Sequence, residues 1–159
     1  METLTFSDKD LKFKIPFGMI ISGPSSSGKS TLLLKFISEA SDLIEPKPKS
    51  ILYCFGEMSN IVPILQKSGV SVYSVARQNA QYIIIMRSPN SVLSVRNIGV
   101  QLFPRKLDYF LDAYRQATNK PFGYLVIDMH ASSDPGLRLR TSIFKEDEEK
   151  IIFIPKNRA

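Results

Sequence analysis

Residues 17–40 read Phe17-Gly18-Met19-Ile20-Ile21-Ser22-Gly23-Pro24-Ser25-Ser26-Ser27-Gly28-Lys29-Ser30-Thr31-Leu32-Leu33-Leu34-Lys35-Phe36-Ile37-Ser38-Glu39-Ala40. A short apolar run ends in Ser-Gly-Pro and a Ser-rich turn follows. Apolar residues then recur at Leu32, Leu33, Phe36 and Ile37, the period of one helix face. The spacing predicts strand, turn and helix. The turn, Gly23 to Ser30, fits G-x-x-x-x-G-K-[ST] without a mismatch, and Thr31 follows. At average residue usage such a match arises by chance in roughly one chain of this length in a hundred, so the pattern is informative.

The chemistry behind the pattern is anion binding. Glycines at Gly23 and Gly28 let the backbone curl until successive N–H groups face one phosphate. The helix that begins near Lys29 adds the positive end of its dipole. Gly23, Pro24, Ser25, Ser26, Ser27, Gly28, Lys29, Ser30 and Thr31 are therefore the nucleotide-binding candidates. Lys29 would neutralise β- and γ-phosphate charge, and the Ser30 hydroxyl would be a magnesium ligand, which makes ATP and Mg the expected cofactors.

Hydrolysis needs more: an acid at the end of a neighbouring strand on the magnesium side, and a group that positions the attacking water. The best pattern match is Tyr124-Leu125-Val126-Ile127-Asp128, a hydrophobic run ending in Asp128. Glu57, just past Ile51-Leu52-Tyr53-Cys54-Phe55, is a second catalytic candidate. No hydrophobic strand ends in paired acids.

Outward from the loop, further elements alternate. Strands are expected at Ile51–Phe55, Val70–Val75, Tyr82–Met86 and Tyr124–Asp128, with a short Ser59-capped helix carrying Ile61, Ile64 and Leu65. A helix capped by Ser91 runs to about Gln101. Another starts near Pro104, with Leu107, Phe110, Leu111 and Tyr114 on one stripe. Leu137 to Phe144 reads as a half-exposed strand and Ile151 to Ile154 as a last one. The alternation predicts a single α/β domain over residues 1–159, three-layered and P-loop NTPase-like, with a mainly parallel sheet.

Composition narrows the field. Of 159 residues 43% are hydrophobic, enough for a core, so disordered and collagen-like classes are excluded. One cysteine, Cys54, excludes a disulfide framework, and one histidine, His130, excludes a Cys/His zinc site. Apolar runs fall far short of the roughly 20 residues of a membrane helix, and no secretory signal is visible at the start, so no membrane partner and an intracellular, non-secreted location are expected. Lys+Arg exceed Asp+Glu by 21 to 15, but the cations are dispersed. Arg138 and Arg140, two apart, suit one side of a strand and a groove rim for the phosphate backbone of DNA. Cys54 reads as a small buried hydrophobe and His130 as structural.

Gly-Pro-Ser-Ser-Ser-Gly-Lys-Ser-Thr (23–31), Ile-Leu-Tyr-Cys-Phe-Gly-Glu (51–57), Pro-Phe-Gly-Tyr-Leu-Val-Ile-Asp-Met-His (121–130) and Leu-Arg-Leu-Arg-Thr-Ser-Ile-Phe (137–144) together resemble the packaging-type ATPases of Polinton/Maverick DNA transposons and related viruses. These are a branch of the FtsK-HerA group of P-loop motors. The likeness runs in two blocks, about 17–75 and 76–155. The resemblance implies that the central Walker B segment, with its paired acids, and the following phosphate-sensor strand are missing, and that Asp128 lies on a late strand rather than at the magnesium side. It implies a sheet incomplete in its centre and a degenerate ATPase with weak or absent hydrolysis. It also implies double-stranded DNA as a partner, a homo-oligomeric ring if the fold is complete, and the nucleus or a viral factory as location. In such a ring Arg77, Arg87, Arg96 and Arg105 are alternative trans-acting fingers. The residues alone leave two rivals: an active small NTPase or kinase using Asp128, and a non-enzymatic DNA-binding or assembly module.

Overall fold

Tyr82-Ile83-Ile84-Ile85-Met86 has no polar face, so its strand has to be covered on both sides. A computed structural model, which describes residues 6–54, 61–69, 71–73 and 80–156, places it inside the sheet as β6 (Tyr82–Met86). Before it come β1 (Phe13–Lys14), β2 (Met19–Ser22), α1 (Lys29–Ser38), α2 (Ala40–Leu43), β3 (Ile44–Glu45), β4 (Leu52–Cys54), α3 (Val62–Lys67) and β5 (Ser71–Tyr73). After it come α4 (Val92–Leu102), α5 (Leu107–Ala117), β7 (Tyr124–Asp128), β8 (Leu139–Thr141) and β9 (Ile151–Phe153). Glu57, Ser59, Val70, Val75 and Arg77 lie outside the described residues.

The chain is a mixed α/β structure. Its main sheet has five strands in the order β2-β6-β7-β8-β9. Alternate residues of β6 feed two cores. Tyr82, Ile84 and Met86 pack with Leu32 and Phe36 of α1 and Leu43 of α2. Ile85 joins Val95 of α4 and Phe110 and Ala113 of α5 on the other side, with Leu125 and Ile127 of β7. Burying one such side chain contributes roughly 1.5–3 kcal/mol, so the two cores carry most of the driving force.

The expectation of a mainly parallel sheet is met at β2–β6, β1–β3 and β4–β5. It is corrected at β6–β7, β7–β8 and β8–β9, which are antiparallel. The connections explain the change of direction. The single helix α3 returns the chain from β4 to start β5 parallel to it, whereas α4 and α5 together return it from β6 so that β7 starts from the other end. The links from β7 to β8 and from β8 to β9 contain no α-helix and simply turn back.

β2 pairs with β6 alone among the described residues, which makes it an edge strand. Met19 and Ile21 lean on the α1 side, but Ile20, on the other face, is 45% exposed. The α4–α5 layer packs on β6, β7 and β8. β4 and β5 form a separate two-stranded parallel sheet, bridged by α3, whose Leu65 meets Leu33, Leu34 and Ile37 of α1. Two smaller expectations also change. The residues at 137–144 shorten to β8, all three of which are buried because β7 and β9 flank it. Pro104 precedes α5 in a turn rather than opening it, since the helix starts at Leu107.

Candidate functional site

β2 ends at Ser22, and Gly23 turns the chain across the end of β6. A Cβ on Gly23 would lie 2.6 Å from Met86 Cβ and 2.7 Å from Ser27 Oγ, so only glycine fits this approach. Ser26 (φ 62°) and Gly28 (φ 92°) both take the left-handed conformation. For Ser26 that is uncommon, and for Gly28 it costs little. Within the turn Ser27 N–H donates to the Pro24 carbonyl at 3.3 Å. Gly28 occupies the N-cap of α1, and its carbonyl accepts from Leu32 N–H at 2.9 Å, so the helix starts directly behind the loop.

Lys29 folds over the loop that precedes it. Its Nζ donates to the carbonyls of Gly23 and Pro24, both at 2.8 Å. The ammonium is thus held at the mouth of the loop by two weakly basic oxygens, partners that a phosphate dianion can displace. Ser25 and Ser26 are exposed on the turn, and Ser30 and Thr31 are exposed on the first turn of α1. Ser27 is buried, and its Oγ has no partner among the described residues. The nine motif residues therefore stand together in one contiguous cradle. Ser30 fits as one oxygen ligand for magnesium, an ion that ordinarily completes its shell with water and phosphate. No group of three or more His, Cys, Asp or Glu that could hold a metal occurs among the described residues.

Asp128 is elsewhere. Register settles its place: Tyr82 of β6 pairs with Met19 of β2 on one side and with Asp128 of β7 on the other. Asp128 is therefore level with the start of β2, and the loop follows its end, three residues or about 10 Å further along the sheet. The residue pattern of a strand tipped by an acid assumed a parallel strand, and β7 runs the other way. Asp128 is fully buried, with Oδ2 accepting from Arg140 Nη1 at 2.9 Å and Oδ1 accepting from His130 N–H at 3.0 Å. His130 completes this structural corner by stacking on Tyr82 at 6.0 Å and bonding Ser132 Oγ through Nδ1.

Arg138 and Arg140 do not share a rim. Arg138 is exposed in a helical turn (φ −65°, ψ −34°) ahead of β8, so the two-residue strand period does not relate it to Arg140, which is 2% exposed.

At the loop end of β6 the chain continues Met86-Arg87-Ser88, and β7 is entered through Pro121-Phe122-Gly123. No carboxylate occurs in either stretch. Ser88 is buried with its N–H donating to the Tyr114 hydroxyl at 3.0 Å and its Oγ unpartnered among the described residues. Ser27 Oγ and Ser88 Oγ are thus two unpartnered buried hydroxyls beyond the same ends of adjacent parallel strands. Phe122 has φ 59°, an outlier for a bulky residue, and is 66% exposed. Its Cδ1 lies 3.1 Å from where a Cβ on Gly28 would stand, so it walls the helix end of the loop. Neither Ser88 nor Phe122 is distinguishable in sequence from an ordinary turn residue. The signal for both is which strand lies beside β2.

No protein-family model matches the chain, and no curated protein and no solved structure matches it either.

Proposed function

We propose that the chain is a P-loop nucleotide-binding protein resembling a viral or transposon DNA-packaging ATPase, degenerate in its catalytic machinery, that binds ATP and hydrolyses it weakly or not at all. The observation that carries this reading is the contrast at one sheet end. A cradle with left-handed Ser26 and Gly28 is capped by Lys29, and the neighbouring stretches 86–88 and 121–123 bring no carboxylate to it. In the proposed complex the backbone N–H groups of the loop and the start of α1 hold the phosphates. Lys29 exchanges its carbonyl partners for phosphate oxygens, and Ser30 ligates magnesium. Phosphoryl transfer depends on positioning and charge stabilisation, so losing the magnesium-side acid and the water-positioning group removes rate more than affinity. The open edge of β2, with Ile20 uncovered, supports the proposal that central sheet structure is missing. Duplex DNA and a ring of like copies, in a nucleus or viral factory, belong to the same proposal through the resemblance.

The test is a paired measurement. Mg-ATP is expected to raise the melting temperature of the wild-type chain and not of Lys29→Ala, while phosphate release stays at background in both. Magnesium-dependent turnover that disappears in Lys29→Ala would sink the degenerate reading, and equal melting shifts in both proteins would sink nucleotide binding at the loop.

A further inference from the structure

Among the described residues Phe122 is the one large apolar residue with a left-handed backbone. It holds φ at 59° while 66% exposed, and it belongs to none of the apolar cores. The fold gains little from an aromatic residue here, since glycine or asparagine takes this conformation at lower cost. Such strain persists only where the surroundings over-determine it, and the turn around Phe122 is tightly fixed. Gly123 N–H donates to the Lys120 carbonyl at 3.1 Å, and the Gly123 carbonyl accepts from Arg87 N–H, just past β6, at 2.8 Å. A Cβ on Gly123 would lie 2.6 Å from the Ala117 carbonyl oxygen and 2.8 Å from Thr118 Cα, at the end of α5. The turn is thus clamped between α5 and β6, and the ring stands on a rigid support.

That support sets the ring beside the phosphate loop. Phe122 Cδ1 is 3.1 Å and its Cβ 3.7 Å from where a Cβ on Gly28 would stand, so the ring borders the residue that caps α1. Gly28 directly precedes Lys29. An exposed aromatic ring, held in a strained turn at the rim of the loop, is placed for a ligand rather than for the core.

We propose that Phe122 is the base platform of the nucleotide site: its exposed ring stacks on the nucleobase of a nucleoside triphosphate whose phosphates lie in the Gly23–Thr31 loop. This role rests on the nucleotide-binding reading of that loop and adds what distinguishes one nucleotide from another there. Stacking uses the π face that every base has and reads no hydrogen-bonding edge. The platform therefore accepts adenine and guanine alike and favours these two-ring bases over the smaller pyrimidines. A ring already fixed in place loses little freedom when the base arrives, which raises affinity. One ring falls far short of the roughly 800 Å² per partner that a stable protein interface buries, whereas a base tethered through its phosphates needs only the ring.

Calorimetric titration of the full chain in the presence of magnesium tests this, with ATP, GTP, CTP and inorganic tripolyphosphate as probes. Wild type is expected to bind ATP and GTP alike, CTP more weakly and tripolyphosphate most weakly. Phe122→Ala is expected to weaken ATP and GTP about tenfold and to leave tripolyphosphate unchanged. Phe122→Tyr keeps the ring and is expected to retain the wild-type order and affinities. Tripolyphosphate reads the loop without a base, so the two readings fail separately. If tripolyphosphate binding is lost in Lys29→Ala but ATP binds wild type and Phe122→Ala equally well, the loop stands and the platform is overturned. Equal weakening of ATP and tripolyphosphate in Phe122→Ala also overturns it, because the ring then serves only the shape of the loop. No binding of any probe to wild type overturns the nucleotide reading and the platform with it.

Discussion

At one end of the five-stranded sheet Lys29 reaches back to two carbonyls of a partly exposed loop, and at the other end Asp128 and Arg140 meet inside the core. Lys29 and Arg140 are both cations, but their surroundings set them different tasks. Lys29 has water-accessible neighbours and neutral partners that can be exchanged, which suits a group that changes partners when an anion arrives. Asp128 and Arg140 have given up hydration to each other, and neither can leave without stranding a buried charge. The loop end can exchange partners without burying a charge, whereas the Asp128 end holds the fold together. A carboxylate at a strand end is therefore evidence for catalysis only once the direction of its strand is known.

Four perturbations test this contrast. The largest effect is expected from Asp128→Asn, which leaves Arg140 buried without its counter-charge and should cost about 3–5 kcal/mol in urea unfolding. If stability is unchanged and the melting shift with Mg-ATP is lost instead, Asp128 serves the loop after all and the contrast fails. Gly23→Ala comes next. Its new Cβ would collide with Met86 Cβ at 2.6 Å, so a loss of about 1–3 kcal/mol together with loss of ATP binding is expected.

Tyr109→Phe should cost about 1 kcal/mol near neutrality, because the hydroxyl donates to the Phe153 carbonyl at 2.6 Å. Burial pushes the Tyr109 phenol up to about 12. An unfolded tyrosine releases its proton near pH 10, so between about pH 10 and pH 12 the unfolded state binds fewer protons and the wild type loses stability as pH rises. The phenylalanine variant has no such term, and the gap between the two proteins should close over that window. A gap that stays constant from pH 7 to pH 11 would show the phenol to be free of burial effects. Lys29→Ala should change stability least, within about 0.5 kcal/mol, while removing the response to nucleotide. A large loss of stability would mean that the lysine's bonds to Gly23 and Pro24 hold the loop's shape rather than waiting to be exchanged.

The parts of this protein that were legible in its sequence share one property, which is that neighbours along the chain settle them. Strand, turn and helix over residues 19–38, the contiguity of Gly23 to Thr31, and the two-sided burial of Tyr82–Met86 all follow from local spacing and from the lack of a polar face. Tertiary structure decided everything that depends on direction or on what lies alongside. Two helices between β6 and β7 reversed β7 and carried Asp128 to the far end of the sheet. A helical turn at Arg138 broke the strand period, and Arg140, a supposed rim residue, is buried against Asp128. The partnership of β2 with β6 brought Ser88 to the loop end and, among the described residues, left the other edge of β2 open. Local propensity is a short-range quantity, whereas strand direction and pairing are chosen by the burial of whole faces. The loop could therefore be read in advance, but the place of Asp128 and the environment of Arg140 could not.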